Sequence, residues 1–356
     1  MSSEHQTMAL DAMGGDFGPE VVVPAAAAAL EELGGNIEFI FFGDENRIKP
    51  LLAKHEALQN VSRVRHTDKM IANDEKPSVA LRTGRESSMR LAIDAVKEGQ
   101  ADSIVSAGNT GALMATAKMV LKCLPGINRP AIASVFPTKK DDTVMLDLGA
   151  NLACDAEILV QFALLGSVYA RTVRGLGRPS VGILNVGSED MKGPESVREA
   201  ASILAHVDFP GEFTGFVEGN DIPMGTVDVV VTDGFTGNIA LKVAEGVGDL
   251  SGSYFKEALS STLLSRLGAL LAMKALKKVK QRIDPRYYNG GMFLGLNGIC
   301  VKSHGGMDAY GFSRAIIVAA NLVSQGYNKK VATEVEQLMS QESFMTASAL
   351  ADSGMS

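Results

Sequence analysis

Apolar, β-rich runs alternate with helical patterns along almost the whole chain. "TMALDAM" (7–13) reads as a strand and "PEVVVPAAAAALEELG" (19–34) as the helix after it. "IEFIFFG" (37–43) is the next strand, followed by a helix over about 45–58. A shorter strand near 61–67 precedes a long helix over about 77–98. "DSIVSAG" follows, then a helix from about 110 and the strands "AIASVFP" (131–137) and "TVMLDLGAN" (143–151). "PSVGILNVG" (179–187) and "DVVVTDG" (228–234) are further strands, each with a helix after it. Runs this continuously apolar are buried on both faces, as in a parallel sheet covered by helices. The alternation predicts a doubly wound α/β fold. No Pro/Ser-rich linker divides the chain, so two lobes would share one continuous sheet.

In such sheets ligands sit beyond the carboxyl ends of the strands. Five turns there are rich in Gly, Asp and Asn: "DAMGGDFGP" (11–19), "SAGNTGA" (106–112), "DLGAN" (147–151), "NVGSEDMKG" (185–193) and "TDGFTGN" (232–238). Glycine lets backbone amides approach a ligand, and a helix start favours an anion such as phosphate. Each turn alone is ordinary capping chemistry; five on one edge of one sheet would make a ligand site. No Walker-type G-x-x-x-x-G-K-[ST] occurs, and no G-x-G-x-x-G follows a strand, so the usual nucleotide sites are not supported. "DSIVSAGNTG" (102–111) and "DVVVTDGFTG" (228–237) match as D-x-[IV]-V-[ST]-x-G-x-T-G. Either two strands deliver equivalent helix N-termini to one cleft from two sides, or the repeat is an inert remnant of duplication.

With 356 residues, 46% of them hydrophobic and 21% charged, a packed soluble core is expected. A net charge of −7 disfavours a general nucleic-acid binder. Cys123, Cys154 and Cys300, odd in number and without paired spacing, argue against a disulfide framework or a zinc site. A cytoplasmic setting follows. The leader "MSSEHQ" has no apolar region of the secretory kind, and no apolar run approaches the ~20 residues of a spanning helix.

"ALDAMGGDFGP", "SAGNTGALMA", "DLGAN", "LNVGSE" and "VVTDGFTGNIALK", in this order, resemble the PlsX family of bacterial phosphate acyltransferases over about residues 7–335. The resemblance implies a homodimeric three-layer α/β/α fold, similar to isocitrate and isopropylmalate dehydrogenases and to phosphotransacetylases, as one two-lobed domain over 1–338. Residues 339–356 look like a tail. It implies transfer of an acyl group from acyl carrier protein to inorganic phosphate, without metal or cofactor. It also implies peripheral contact with membrane phospholipid and a place in phospholipid synthesis ahead of a glycerol-3-phosphate acyltransferase.

Attack of phosphate on a thioester needs position and charge stabilisation more than a strong base, because the leaving thiol has a pKa near ~8.5. Asn109, Thr110 and Gly111 are candidates for phosphate at a helix N-terminus. Gly234, Thr236, Gly237 and Asn238 would face them and contact phosphate or the developing oxyanion. Lys192 would supply positive charge. Asp11, Asp16, Asp147 and Asp233 would orient lysines or amides, or one would act as acid/base; Gly14, Gly15, Asn151, Asn185 and Gly187 complete these turns. Arg82 and Arg85, read as one turn apart on a helix, and Lys76 could meet an anion. His304 is a candidate acid or base, Lys302 shares its loop, and Asn297 with Gly298 resembles a family loop at the cleft or dimer contact. Cys154 is the least implausible nucleophile for a covalent alternative.

"YFKEALSSTLLSRLGALLAMKALKKVKQRI" (254–283) reads as a protruding helical arm. Leu263, Leu264, Leu267, Leu270 and Leu271 recur at helical spacing, and Lys274, Lys277, Lys278, Lys280 and Arg282 follow. Such a helix suits a membrane interface, a dimer contact or an acidic carrier protein. Rival functions are a short-chain phosphotransacylase using acyl-CoA, a decarboxylating dehydrogenase and a membrane scaffold.

Overall fold

The computed structural model describes residues 5–282 and 284–341, the side chains of 280 and 281 excepted. Of the expected tail, 342–356 lie outside the described residues. Among the described residues eleven strands form one sheet: β1 (Gln6–Asp11), β2 (Ile37–Gly43), β3 (Ser62–His66), β4 (Ser103–Ser106), β5 (Ala131–Pro137), β6 (Asp142–Leu146), β7 (Ser180–Leu184), β8 (Glu212–Val217), β9 (Val229–Val231), β10 (Gly291–Leu294) and β11 (Ile299–Lys302). Their order is β3-β2-β1-β4-β11-β10-β5-β6-β9-β7-β8.

Both faces of the sheet are covered, because successive residues of a strand point to opposite sides. Met8 and Leu10 enter one core, and Ala9 between them enters another. The first face packs on helices Pro19–Leu33, Ala156–Arg174, Glu195–Leu204, Ala309–Ser324 and Tyr327–Met339. The second packs on Ser88–Lys97, Thr110–Leu121 and the start of Gly234–Ser260. These are the three expected layers. Helix Ala156–Arg174 is long and apolar enough to cross a membrane, but 83% of it is buried inside the protein. It is apolar all round because it is a core helix.

Two expected helices are each a broken pair. The 45–58 segment is Glu45–Leu52 and Glu56–Asn60. The 77–98 segment is Pro77–Thr83 and Ser88–Lys97. Gly84 ends the first of these, and the Ser87 side chain caps the second by accepting from the Arg90 amide. Arg85 therefore lies in the break, and Arg82 and Arg85 do not share a helix.

The sheet is mixed, not parallel. β11 is parallel to β4, β10 is antiparallel to β11, and β5 is antiparallel to β10. β6 is antiparallel to β5, and β9 and β7 follow it in parallel. β1, β4 and β11 thus run one way, and β6, β9 and β7 run the other. The glycine-rich turns after β1 and β4 open on one edge of the sheet. Those after β6, β7 and β9 open on the opposite edge. The five turns do not share an edge, because the tight hairpin from Pro137 to Asp142 reverses the chain.

Asp147 anchors the second edge. Its Oδ1 accepts from the amides of Ile132 (2.9 Å) and Ala150 (3.0 Å), and its Oδ2 from the amide (2.7 Å) and side chain (2.9 Å) of Asn151. Burial pushes this carboxyl up, against the pull of those donors. The Asp147 carbonyl also sits where a Cβ on Gly237 would be. Gly237→Ala should therefore lower stability by about 1–3 kcal/mol, the usual cost of overpacking a tight site. An unchanged urea midpoint would show that the helix start tolerates the extra carbon.

Candidate active site

β1, β4 and β11 end side by side on the first edge. β1 delivers Asp11 into the interior. Its Oδ1 accepts the Ser88 hydroxyl and its Oδ2 the Ser106 hydroxyl, both at 2.6 Å. Burial pushes the Asp11 carboxyl up, while those hydroxyls and the amides of Met13 and Gly14 pull it back. A Cβ on Gly14 would lie 2.5 Å from Asp11 Oδ2 and 2.8 Å from the Gly108 nitrogen, so a side chain there would force the loops apart. Gly15 has φ +85°, a region costly for other residues. The Asp16 amide donates to the Gly305 carbonyl (3.0 Å), and its Oδ1 accepts from Asn73 (2.8 Å).

β4 leads into Asn109, which caps helix Thr110–Leu121. Its Oδ1 accepts from the Ala112 amide (2.9 Å), and its Nδ2 donates to the carbonyls of Asn73 (2.8 Å) and Glu75 (3.0 Å). The side chain is spent on the cap and on the 73–75 loop. It is an anchor, not a free phosphate ligand as expected. The neighbouring amides of Thr110 and Gly111, at the exposed helix start, have no acceptor among the described residues.

β11 ends in Lys302, a strand residue and not a loop residue. Its Nζ donates to the carbonyl of Ala107 (3.2 Å) and to that of Ser303. Burial pulls the amine down to about 8, while Asp11, Asp16 and Cys300 hold it up. The Ser303 amide donates to Ser106 O (2.9 Å), tying the two strand ends together. His304 follows with an exposed ring; its amide donates to Asn289 Oδ1 (3.0 Å). Arg82 rides exposed on Pro77–Thr83, which packs on the Thr110 helix, and donates to its own Ser78 carbonyl (3.3 Å).

One edge thus gathers Asp11, Gly14, Gly15, Asp16, Asn109, Thr110, Gly111, Lys302 and His304. The sequence reasoning missed Ser88, Ser106, Asn73 and Asn289, which hold these groups in place. Small polar residues at such spacing carry no motif; only the folded register shows their partners. Asn297 does not join them. It sits in the β10–β11 turn, and its amide donates to Lys122 O (2.9 Å) at the far end of the helix that Asn109 caps.

The remaining candidates fall on the opposite edge. Asp233 caps helix Gly234–Ser260, accepting the Thr236 amide and hydroxyl at 2.8 Å each. Asn238 is exposed beside Gly149. Asn151 also donates to Pro130 O (2.8 Å). Asn185 donates to Lys192 O (3.0 Å), and Lys192 lies over Gly187 with its exposed Nζ on Glu189 Oε1 (2.7 Å). The strands that carry 109–111 and 236–238 run in opposite senses, so the two turns open on opposite edges of the sheet.

The repeat itself has two uses. Asp102 accepts from the Thr7 amide (2.7 Å) and Asp228 from the Ser180 amide (2.9 Å), so each pins its neighbouring strand. The copies then diverge. The cap is Asn109 in the first and Asp233 in the second, two positions earlier in the motif. Thr236 is therefore bonded to its cap, while Thr110 begins its helix exposed.

Cys154 is a poor nucleophile. Burial, together with Asp147, Asp233 and Asp155, pushes its thiol up to about 12. Among the described residues no group of three or more His, Cys, Asp or Glu is placed to hold a metal ion. A polar groove between Arg171, Arg178, Asp208 and Glu334 has its cations already paired.

The arm is two helices, Gly234–Ser260 and Leu263–Arg282, which meet at 116°. Leu263, Leu264, Leu267, Leu270 and Leu271 are 55–83% exposed. On the first helix Ile239, Val243, Val247, Leu250 and Tyr254 form a second exposed apolar stripe at helical spacing. Arg282 fixes the far end, donating to the carbonyls of Thr138 (3.2 Å) and Lys139 (3.3 Å).

Residues 6–330 match the model of the family described as "Fatty acid synthesis protein". The chain is 61% identical over 336 residues to a phosphate acyltransferase of Rhodospirillum centenum, covering 94% of each. It is 56% identical over 332 residues to one of Paramagnetospirillum magneticum, covering 93% of this chain and 94% of that one. Among solved structures, the EutD phosphotransacetylase of Staphylococcus aureus superposes with a TM-score of 0.60 at 16% identity, over 90% of this chain and 95% of that one. A phosphotransacetylase of Streptococcus pyogenes gives 0.60 at 19% identity, over 89% and 94%. At this similarity, over nine-tenths of the chain, the phosphotransacetylase fold is the fold of this chain. By the family match and by its sequence relatives, the chain belongs to the PlsX family of phosphate acyltransferases.

Proposed function

We propose that the chain transfers a fatty acyl group from acyl-acyl carrier protein to inorganic phosphate, giving acyl phosphate for phospholipid synthesis. The observation that carries this is the 61% identity, across 94% of the chain, to a phosphate acyltransferase. The first edge suits the chemistry. Phosphate sits at the unfilled amides of Thr110 and Gly111, where the helix start favours an anion. Lys302 ends the neighbouring strand with its Nζ on the Ala107 carbonyl, and Gly14 and Gly15 let the loops of this edge pack together. Asp11 stays out of contact with phosphate, its oxygens occupied by two serines, so that a bare carboxylate does not repel the nucleophile. The thioester carbonyl is presented from solvent, and its sulfur leaves as a thiol of ordinary acidity.

The arm serves two surfaces in this reading. The stripe from Ile239 to Tyr254 packs against a second copy of the chain, giving a homodimer. The leucines of Leu263–Arg282, with Lys274, Lys277 and Lys278 exposed on the same helix, rest in the membrane interface. Acyl phosphate is then released beside the lipid where a glycerol-3-phosphate acyltransferase consumes it. The enzyme works from the cytoplasm as a peripheral protein.

Incubation with long-chain acyl-acyl carrier protein and labelled phosphate should yield labelled acyl phosphate. Product from acetyl-CoA alone would assign the chain to short-chain phosphotransacylases instead. Cys154→Ser should keep turnover within about threefold, since a thiol this hard to ionise forms no acyl-enzyme; an acylated Cys154 peptide in the quenched reaction would refute that. Leu267→Glu with Leu271→Glu should release the protein from anionic liposomes, and undiminished cosedimentation would remove the arm from the membrane.

A further inference from the structure

Lys302 lies half-buried at the meeting point of the three loops of the first edge, with its amine turned inward. It ends β11 between β4 and β10, where a lysine is expensive to bury. Among the described residues no carboxylate takes its ammonium directly. Its partners among the described residues are the carbonyls of Ala107 and Ser303. Asp11, the nearest fixed charge from β1, is occupied by Ser88 and Ser106. Asp16, in the loop after β1, is turned to Asn73. β4 and its loop, 103–111, contain no titratable side chain. Cys300 lies on the same strand, and its own thiol is pushed up by burial. The amine is thus held near charge without being neutralised by it.

The reaction, on the reading proposed above, has a proton to move. Monohydrogen phosphate attacks the thioester carbon; the new C–O bond forms and the C–S bond breaks. The sulfur departs as a thiolate, and the product still carries the proton that phosphate brought. We propose that Lys302 is the proton shuttle of this exchange: its ammonium gives a proton to the leaving sulfur, and the resulting amine takes the proton from the acyl hydrogen phosphate. Atoms and charge then balance as thioester plus monohydrogen phosphate giving acyl phosphate dianion plus thiol, and Lys302 returns to its starting state. Geometry brings the group to this edge: the register of β11 with β4 sets Lys302 beside Ser106, and its Nζ meets the Ala107 carbonyl in the loop that leads to Thr110, where the reading above puts phosphate. The acidity fits as well: an amine at about 8 is close to a thiol near ~8.5, so the transfer is nearly balanced in either direction.

The test uses the full chain with long-chain acyl-acyl carrier protein and phosphate. Lys302→Met should fold, because it removes a buried charge at similar volume, and circular dichroism with thermal melting checks this. Its turnover should drop by about 100-fold, within the usual range for general acid–base groups. The wild type needs the charged amine, so kcat/KM should fall as pH rises through about 8. In Lys302→Met that alkaline limb should vanish. In Lys302→Arg, which keeps the charge without titrating, it should also vanish, with part of the rate retained. A long-chain acyl thioester of an acidic aryl thiol, whose sulfur needs no proton, should bring Lys302→Met to within about tenfold of the wild type. A folded Lys302→Met with the wild-type rate, or with the wild-type alkaline limb, overturns the shuttle while leaving the proposed function standing. A wild type that makes no acyl phosphate from any donor overturns both.

Discussion

The reversal of strand direction between β5 and β6 is the constraint on which the arrangement of this protein rests. A parallel sheet would collect every strand-to-helix turn on one edge. Here a four-residue link between Pro137 and Asp142 turns the chain back on itself, and every strand added beyond it opens the other way. The protein consequently has glycine-rich turns on two opposite edges. One is built around Asp11 and Lys302, the other around Asp147. The same residue types occur on both, and their roles differ because their neighbours differ.

The two buried aspartates show this most directly. Asp147 takes backbone amides from Ile132, Ala150 and Asn151, and so spends its charge on fixing a turn. Asp11 takes the hydroxyls of Ser88 and Ser106, side chains delivered from two different elements. It therefore ties the start of helix Ser88–Lys97 to the ends of β1 and β4. Ser88 opens the second helix just after the break at 84–87, and from there its hydroxyl reaches Asp11.

Much of the layering was legible in the sequence, because it follows from local pattern. The runs around Met8, Phe39, Ile104 and Val230 are apolar on both faces, and both faces are buried. The ordered glycine motifs pointed to the family, and the family match bears that out. Direction was not legible. β10 and β11 are four residues each, shorter than the window in which alternation can be recognised, and β11 hides inside "LGLNGICVKSHG". Direction was set elsewhere, by the short link 138–141 between two strands that were both legible. The duplicated motif then suggested a symmetrical cleft, whereas the strands that carry its copies run in opposite senses. Asn109 misled for a related reason: an N-cap and an anion ligand use the same side chain, and only the contacts to Asn73 and Glu75 show which demand has been met.

The missed strand is also what makes the first edge chemically distinct. Had "VKSHGG" been a loop, Lys302 would be a hydrated amine of ordinary basicity. As the last residue of β11 it is carried into the sheet beside β4, and its position is set by the register that pairs it with Ser106. Strand registry tolerates no partial shift, since a slip of one residue would turn the side chain to the other face. The backbone of Lys302 is therefore held by the pairing of β11 with β4, and its amine by the carbonyls of Ala107 and Ser303. That combination, a rigidly placed cation among open backbone amides, is what an acyl transfer to phosphate asks of a protein that offers no ionised thiol.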